Sequence, residues 1–499
     1  MIDCDPSLVH EWLAQSAQKH PNRTALVCGK ERWTYEALDN HTSHLAQQLS
    51  SLGMQRHDRV AILADNSAET VISIYSALKA GGAFVVLTSS IKGPKLSYIL
   101  ENCKPRFLIV HTSKAKAVSQ AWSMSAHDTK LIWIGPEQRI PKDLSKQSVH
   151  WSDLFPEKPQ DSPTPLPGTR VTLPRVMDVD LATLIYTSGS TGEPKGVMST
   201  HHNMISAARS IIQYIDNDPD DVILDVLPLS FDYGLYQVIM TFMFGGTVVL
   251  ESSFLYLHRI LQRISEERVT GFPIVPTIVA MLLKRRDVSQ YDLSSLRYIT
   301  NTGAALPVDH IQRLREQLPQ TSIYSMFGLT ECKRVSYMPP SQLDQRPASV
   351  GTAMPNCEVR VLDEADQEVP AGQTGELVIR GANVMQGYWN DPKLTAKAYQ
   401  QGQYPADRIL RSGDYFRQDD DGFLYFLGRK DDMIKSKGER ISAKEIENTL
   451  HAMEDIAEAA VIGVPDEIYG QVIQAFVVCA PESELTEQAV LKYCSETME

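Results

Sequence analysis

Along the N-terminal part of the chain, the apolar positions alternate between two spacings. Over 34–53 the leucines at 38, 45, 49 and 52 fall on one face at helical spacing, and Gly53 supplies a stop. The next apolar run, RVAIL (59–63), is short and continuous and predicts a buried strand. SAETVISIYSALKAGG predicts a helix ending at Gly81, and AFVVL (83–87) a further strand. Strand, helix and strand in this order predict a parallel sheet with right-handed crossovers. The pattern recurs around PRFLIV (105–110), GGTVVL (245–250) and RYIT (297–300).

Two stretches interrupt it. Residues 155–168 hold five prolines in fourteen positions and read as a surface connection. From about residue 430 the helix SAKEIENTLHAM, the strands AEAAVIGV and QVIQAFVVCA and the helix SELTEQAVLKYC form a smaller α+β pattern. The charged segment LGRKDDMIKSKGERIS, with Gly428 and Gly438, marks the join and reads as a hinge. The expected fold is α/β, with a large N-terminal domain (1–429) and a small mobile C-terminal domain (430–499).

Composition narrows the class. The chain has 499 residues, 43% hydrophobic and 22% charged, as in an ordinary globular protein. A formal charge of −13 supplies no basic stripe for nucleic acid. Seven cysteines without Cys-x-x-Cys spacing fit a reducing compartment. The N-terminus MIDCDPSLVHEW lacks an apolar signal core, and the longest apolar run (238–250) is too short to span a bilayer and is broken by Gly245 and Gly246. The expectation is a cytoplasmic protein that binds neither nucleic acid nor membrane.

Chemistry enters with YTSGSTGEPKG (186–196). After an apolar strand come hydroxyls, glycines and one cation, Lys195. Such a loop offers backbone N–H groups and a positive charge to polyphosphate. It is not a Walker A loop, because Pro194 precedes the lysine and no Ser or Thr follows it. A Ser/Gly linker is the bland alternative, and the strand before the loop with the lysine closing it argues against that.

This loop resembles the phosphate loop of the adenylate-forming superfamily, which comprises acyl-CoA synthetases, adenylation enzymes and firefly-type luciferases. LPLSFDYG (227–234), NTGAALP (301–307), SMFGLTE (325–331), TGELVIRG (374–381), RSGDYF (411–416) and GRKDDMIKSKGERI (428–441) follow in the family's order. The resemblance implies packed mixed and parallel sheets, a β-barrel-like subdomain, and ATP and Mg2+ as cofactors. It places Thr187, Ser188, Gly189, Ser190, Thr191, Gly192 and Lys195 on the phosphates, and Thr330 at the α-phosphate. Glu331 is placed as the carboxylate that orients magnesium, a hard oxygen donor for a hard cation. Gly303, Ala304, Ala305, Phe327 and Gly328 would flank adenine, with Asp414 and Arg429 at the ribose. Asp431 matches the hinge, and Gly438 and His201 the thiol channel. A metal site at His201 and His202 is disfavoured, since adjacent side chains diverge and no further ligand is spaced nearby.

Asp232 bears on the acid, because a carboxylate in an apolar pocket calls for a cation. In the amino-acid-activating members that this chain resembles, an aspartate at this place pairs with the substrate's α-ammonium, and with Tyr233, Ile278 and Met326 the resemblance implies a small amino acid. The segments SFDYGLYQ and MFGLTECKRVSYM most resemble stand-alone ligases that load L-proline onto a carrier protein for nonribosomal natural products. An acyl- or aryl-CoA ligase stays open, so the acceptor thiol is either phosphopantetheine on a carrier protein or CoA. The family's C-terminal Gly-Lys segment is not found before Glu499, which carries two expectations: a sequence truncated within the small domain, or an adenylate-binding scaffold with little turnover.

Overall fold

A computed structural model of the chain describes residues 5–145, 148–155, 172–188, 193–285, 287–304, 306–404, 407–430, 433–436, 439–466, 470–480, 483 and 485–497. The alternating pattern folds into two sheets that face each other across a helical layer. In one, the strands Ser322–Phe327, Tyr298–Asn301, Gly271–Ile274, Val222–Asp225, Thr247–Leu250 and Thr24–Cys28 run parallel, in that spatial order. Antiparallel strands close both edges: Glu31–Thr34 at one, Ser336–Tyr337 and Thr352–Ala353 at the other. In the second sheet, Ser148–His150, Lys130–Ile134, Phe107–His111, Arg59–Leu63, Ala83–Val86 and Leu181–Ser188 are parallel, and Pro194–Thr200 returns antiparallel.

The helices between the sheets are buried almost all round, as a helix covered on both sides must be. All of Ala68–Lys79 except Glu69 is buried, as is all of Asp232–Phe244 except Phe244. Their starts follow the sequence: Thr34 Oγ1 accepts from the Ala37 amide at 3.1 Å and Ser67 Oγ from Thr70 at 3.2 Å. The two predicted stops fall just beyond the helices Tyr35–Ser51 and Ala68–Lys79, with Gly53 and Gly81 at positive φ.

A third, antiparallel sheet of five strands follows: Cys357–Leu362, Thr374–Gly381, Arg408–Gln418, Tyr399–Gln401 and Leu424–Arg429. Its own core includes Val361, Leu377, Ile379, Leu410, Phe416 and Leu424, packed with Val197, Cys332 and Val335. Residues 386–389 lie along strand Pro194–Thr200, where Gln386 N donates to Met198 O, Met198 N to Gly387 O and Trp389 N to Gly196 O at 2.8–2.9 Å. The second and third sheets are joined there, backbone to backbone.

The last unit holds the strands Ile434–Ser436, Glu439–Ile441, Ile456–Asp466 and Gly470–Cys479 with helices Ala443–His451 and Glu487–Thr497. Ser442 Oγ donates to Leu427 O and links it to the third sheet. No helix among the described residues is long and apolar enough to cross a membrane.

Candidate active site

The phosphate loop is the tip of the hairpin formed by Leu181–Ser188 and Pro194–Thr200, where Thr187 stands opposite Lys195. Gly189, Ser190, Thr191 and Gly192 lie outside the described residues, as do Ala305, Asp431, Gly438 and the side chain of Ser188. Next to the tip, Lys195 Nζ donates to Glu331 Oε1 at 3.2 Å and to the Tyr388 hydroxyl at 3.1 Å, and that hydroxyl donates to Glu331 Oε1 at 2.7 Å. Lys195 also sits 4.5 Å from the centre of the Tyr388 ring. Burial beside Glu331 pushes the Tyr388 phenol well above its usual range, so it stays a donor. Thr187 Oγ1 is buried with no hydrogen-bond partner. Such an orphan is costly unless a ligand completes it.

Glu331 is held by a tight turn. A Cβ on Gly328 would lie 2.0 Å from Lys333 O, so only glycine lets the chain fold back after strand Ser322–Phe327. The Met385 amide donates to Glu331 O at 2.9 Å and ties the turn to the third sheet. Thr330 is half-buried beside it. Phe327 packs edge-on against Phe416, with ring centres 4.8 Å apart, and also meets Phe426.

Asp414 and Arg429 are register partners on neighbouring strands of the third sheet, with Arg429 Nη1 3.1 Å from Asp414 Oδ1. The contact has ion-pair distance but not hydrogen-bond alignment, so Asp414 Oδ1 stays an unpartnered buried acceptor. Burial pushes the Asp414 carboxyl up to about 7, against the opposing pull of Arg429. Gly303, at φ +85°, ends strand Tyr298–Asn301 with Phe231 as its nearest neighbour.

The residues placed on the acid turn out differently. Asp232 is the first residue of helix Asp232–Phe244 and is buried. Its cation is internal, because Lys333 Nζ lies 3.2 Å from Asp232 Oδ2 and also donates to Asp232 O. Lys333 is buried at φ +71°, with Nζ 3.6 Å from the Tyr236 ring centre. Burial pulls its ammonium down to about 7, with Asp232 pulling up and Arg334 pushing down. Tyr233 and Ile278 are fully buried, Tyr233 donating to Thr300 O at 2.7 Å, and Met326 Sδ accepts from Tyr214.

His201 is not brought to this cluster. It opens helix His201–Ile215, Nδ1 accepts from the Val9 amide at 3.1 Å, and burial lowers its pKa to about 4. Sequence reading missed Tyr388, Lys333, Arg334 and Tyr236. Two cations following Thr-Glu in TECKR are a visible signal for the middle pair, while a lone tyrosine in MQGYW gives none.

Among the described residues, no group of three or more potential ligands could hold a metal ion. Glu331 suits Mg2+ in another way, as the one carboxylate among donors otherwise supplied by phosphates and water.

The chain belongs to the AMP-binding enzyme family: the family model matches residues 13–389, and that of the family's C-terminal domain residues 445–499. It is 32% identical over 480 residues to indoleacetate–CoA ligase of Aromatoleum aromaticum, covering 94% of this chain and 87% of that one. It is 29% identical over 486 residues to bacitracin synthase 1 of Bacillus licheniformis, of which the match spans 8%. The anthranilate CoA ligase AuaEII, solved with anthranoyl-AMP, superposes with a TM-score of 0.83 at 26% identity, covering 99% of this chain and 91% of that one. The chain is thus an AMP-forming acid–thiol ligase that uses ATP with Mg2+.

Proposed function

We propose that this chain activates a small carboxylic acid and passes the acyl group to CoA or to the phosphopantetheine thiol of a carrier protein. The observation that carries the reading is the convergence of Lys195, Glu331 and Tyr388 next to the tip of the phosphate hairpin. A carboxylate oxygen of the acid attacks the α-phosphorus of ATP, and the bond to the β-phosphate oxygen breaks to release pyrophosphate. The thiol sulfur then attacks the acyl carbon, AMP leaves, and the thiol proton passes to solvent.

Lys195, Thr187, Ser188 and the loop 189–192 take the phosphates, where cations and N–H donors stabilise the departing charge. Thr330 meets the α-phosphate. Glu331 holds Mg2+, which neutralises phosphate charge when bound. Phe327, Gly328 and 303–305 flank the adenine, and Asp414 accepts from the ribose hydroxyls beside Arg429. The domain division falls at 429/430, with Asp431 as hinge and Gly438 approaching the thiol after rotation, a lid motion in the sense that one domain serves two half-reactions.

A second reading, activation of a small amino acid such as L-proline for a carrier protein, has the likeness to bacitracin synthase 1 in its favour. Against it, Lys333 already occupies Asp232, so a substrate ammonium would meet a carboxylate with a cation in place.

The test is acid-dependent ATP–pyrophosphate exchange over aryl, fatty, dicarboxylic and amino acids, followed by thioester formation with CoA and with a carrier protein. Exchange with an acid lacking an α-ammonium supports the first reading, exchange with L-proline alone supports the second, and no exchange with any acid overturns both.

A further inference from the structure

Behind the turn that carries Glu331 lies a buried guanidinium with no carboxylate of its own. Asp232, Lys333 and Arg334 are each less than 7% exposed, and they bring one carboxylate, an amine that burial pulls towards neutrality and the guanidinium. Lys333 takes the carboxylate. Arg334 Nη1 donates to Lys333 O at 3.3 Å, its Cζ lies 4.7 Å from the centre of the Tyr233 ring, and its Nε is buried without a hydrogen-bond partner. Among the described residues, no carboxylate forms an ion pair with it.

Three further buried acceptors or hydroxyls have no partner: Tyr236 OH, Asn301 Oδ1 and Thr302 Oγ1. Asn301 and Thr302 stand at the carboxyl end of strand Tyr298–Asn301, beside Ser322–Phe327, whose own end leads into the Gly328 turn. Open α/β sheets bind their ligands at that end of the strands. A guanidinium buried without a counter-ion is costly, and its planar fork matches a carboxylate with two parallel hydrogen bonds. An ammonium arriving here would find the Asp232 carboxylate already paired with Lys333 and a guanidinium beside it.

We propose that Arg334 is a specificity residue that receives a second carboxylate on the acid substrate, so that the enzyme activates short dicarboxylic acids in preference to monoacids and amino acids. This rests on the acid–thiol ligase reading above. The distal carboxylate pairs with Arg334 and the other is the one that attacks ATP.

Acid-dependent pyrophosphate exchange decides it with matched acids: succinate against butyrate and γ-aminobutyrate, and phthalate against benzoate. The expected wild-type preference for the diacid in kcat/KM is roughly 10⁴-fold, because a buried polar partner is left unpaired by the monoacid. Arg334→Gln brings the diacid-to-monoacid ratio down towards one, and Arg334→Lys restores part of it. A wild-type preference for monoacid or amino acid overturns the proposal. So does an Arg334→Gln enzyme that loses exchange with all acids equally, the mark of a purely structural residue. Thermal shift with each acid alone separates this proposal from the ligase reading. Without exchange for any acid, the ligase reading fails, and Arg334 is still tested by whether succinate or phthalate raises the wild-type Tm and not that of Arg334→Gln. If neither diacid raises the wild-type Tm, the proposal falls with it.

Discussion

Lys195 Nζ and Glu331 Oε1 stand 3.2 Å apart, although 136 residues separate them in sequence, and the hydroxyl of Tyr388 bonds to both. Each opposite charge holds the other in the orientation a phosphate and its metal need, before either arrives. Lys195→Ala should lower pyrophosphate exchange by roughly 10²–10³-fold, the range for removing one stabilising donor from a reacting site. Its Tm should change little, because both side chains are partly open to solvent. Steady-state exchange with a parallel melting curve checks this.

Tyr388→Phe keeps the ring under Lys195 and deletes the two hydrogen bonds. Each net hydrogen bond is worth about 1 kcal/mol, so losing both should lower exchange by roughly thirtyfold. Tyr388→Ala should also destabilise, by about 3 kcal/mol or more, since the ring is buried against Tyr399. Comparing the two variants by kinetics and denaturant unfolding separates the hydroxyl from the ring.

Asp414 gives a pH dependence. Its folded pKa, about 7, lies above the unfolded carboxylate value. Stability from this group is therefore fully present below about pH 4 and is lost as pH rises towards and through about 7. Asp414→Asn should flatten that part of the stability profile, by a few kcal/mol. For catalysis the proposed ribose contact reverses the sign, since an acceptor carboxylate is what it requires: KM for ATP should rise in the wild type as pH falls below about 7. Unfolding series and KM measurements across that window check both.

Lys333→Met strips the cation from a buried carboxylate and should cost about 3–5 kcal/mol. Adding Asp232→Asn should recover much of it. Denaturant unfolding of both single variants and the double variant closes the cycle, and additive losses would disprove the coupling.

Gly328→Ala places a methyl 2.0 Å from a backbone oxygen that cannot swing aside. Loss of soluble protein, or a Tm lowered by several degrees together with lost exchange, is the expected outcome, read by expression and melting.

The helices between the parallel strands were legible because period alone reports them: Leu38, Leu45 and Leu49 are buried on one face of Tyr35–Ser51, while the fourth expected leucine, Leu52, caps the helix and is half-buried. The joining of residues 386–389 to the phosphate hairpin was not, since backbone pairing between distant segments leaves no periodic trace. The site divided the same way. The Thr187 and Lys195 positions could be singled out because a Ser/Gly-rich loop closed by a lysine follows a strand and resembles a family motif. Asp232 could be found as a buried charge, but which cation answers it depends on the turn at Gly328, a three-dimensional fact that sets Lys333 beneath it. Tyr388 belongs wholly to that second kind.

The pairing of residues 386–389 with strand Pro194–Thr200 has an engineering consequence. Because three amide bonds and the Tyr388 ring stitch the phosphate hairpin to the antiparallel sheet, the loop is not a separable cassette. A chimera that swaps 186–200 between relatives must carry 385–389 with it, or the grafted lysine will arrive without the hydroxyl and carboxylate that aim it.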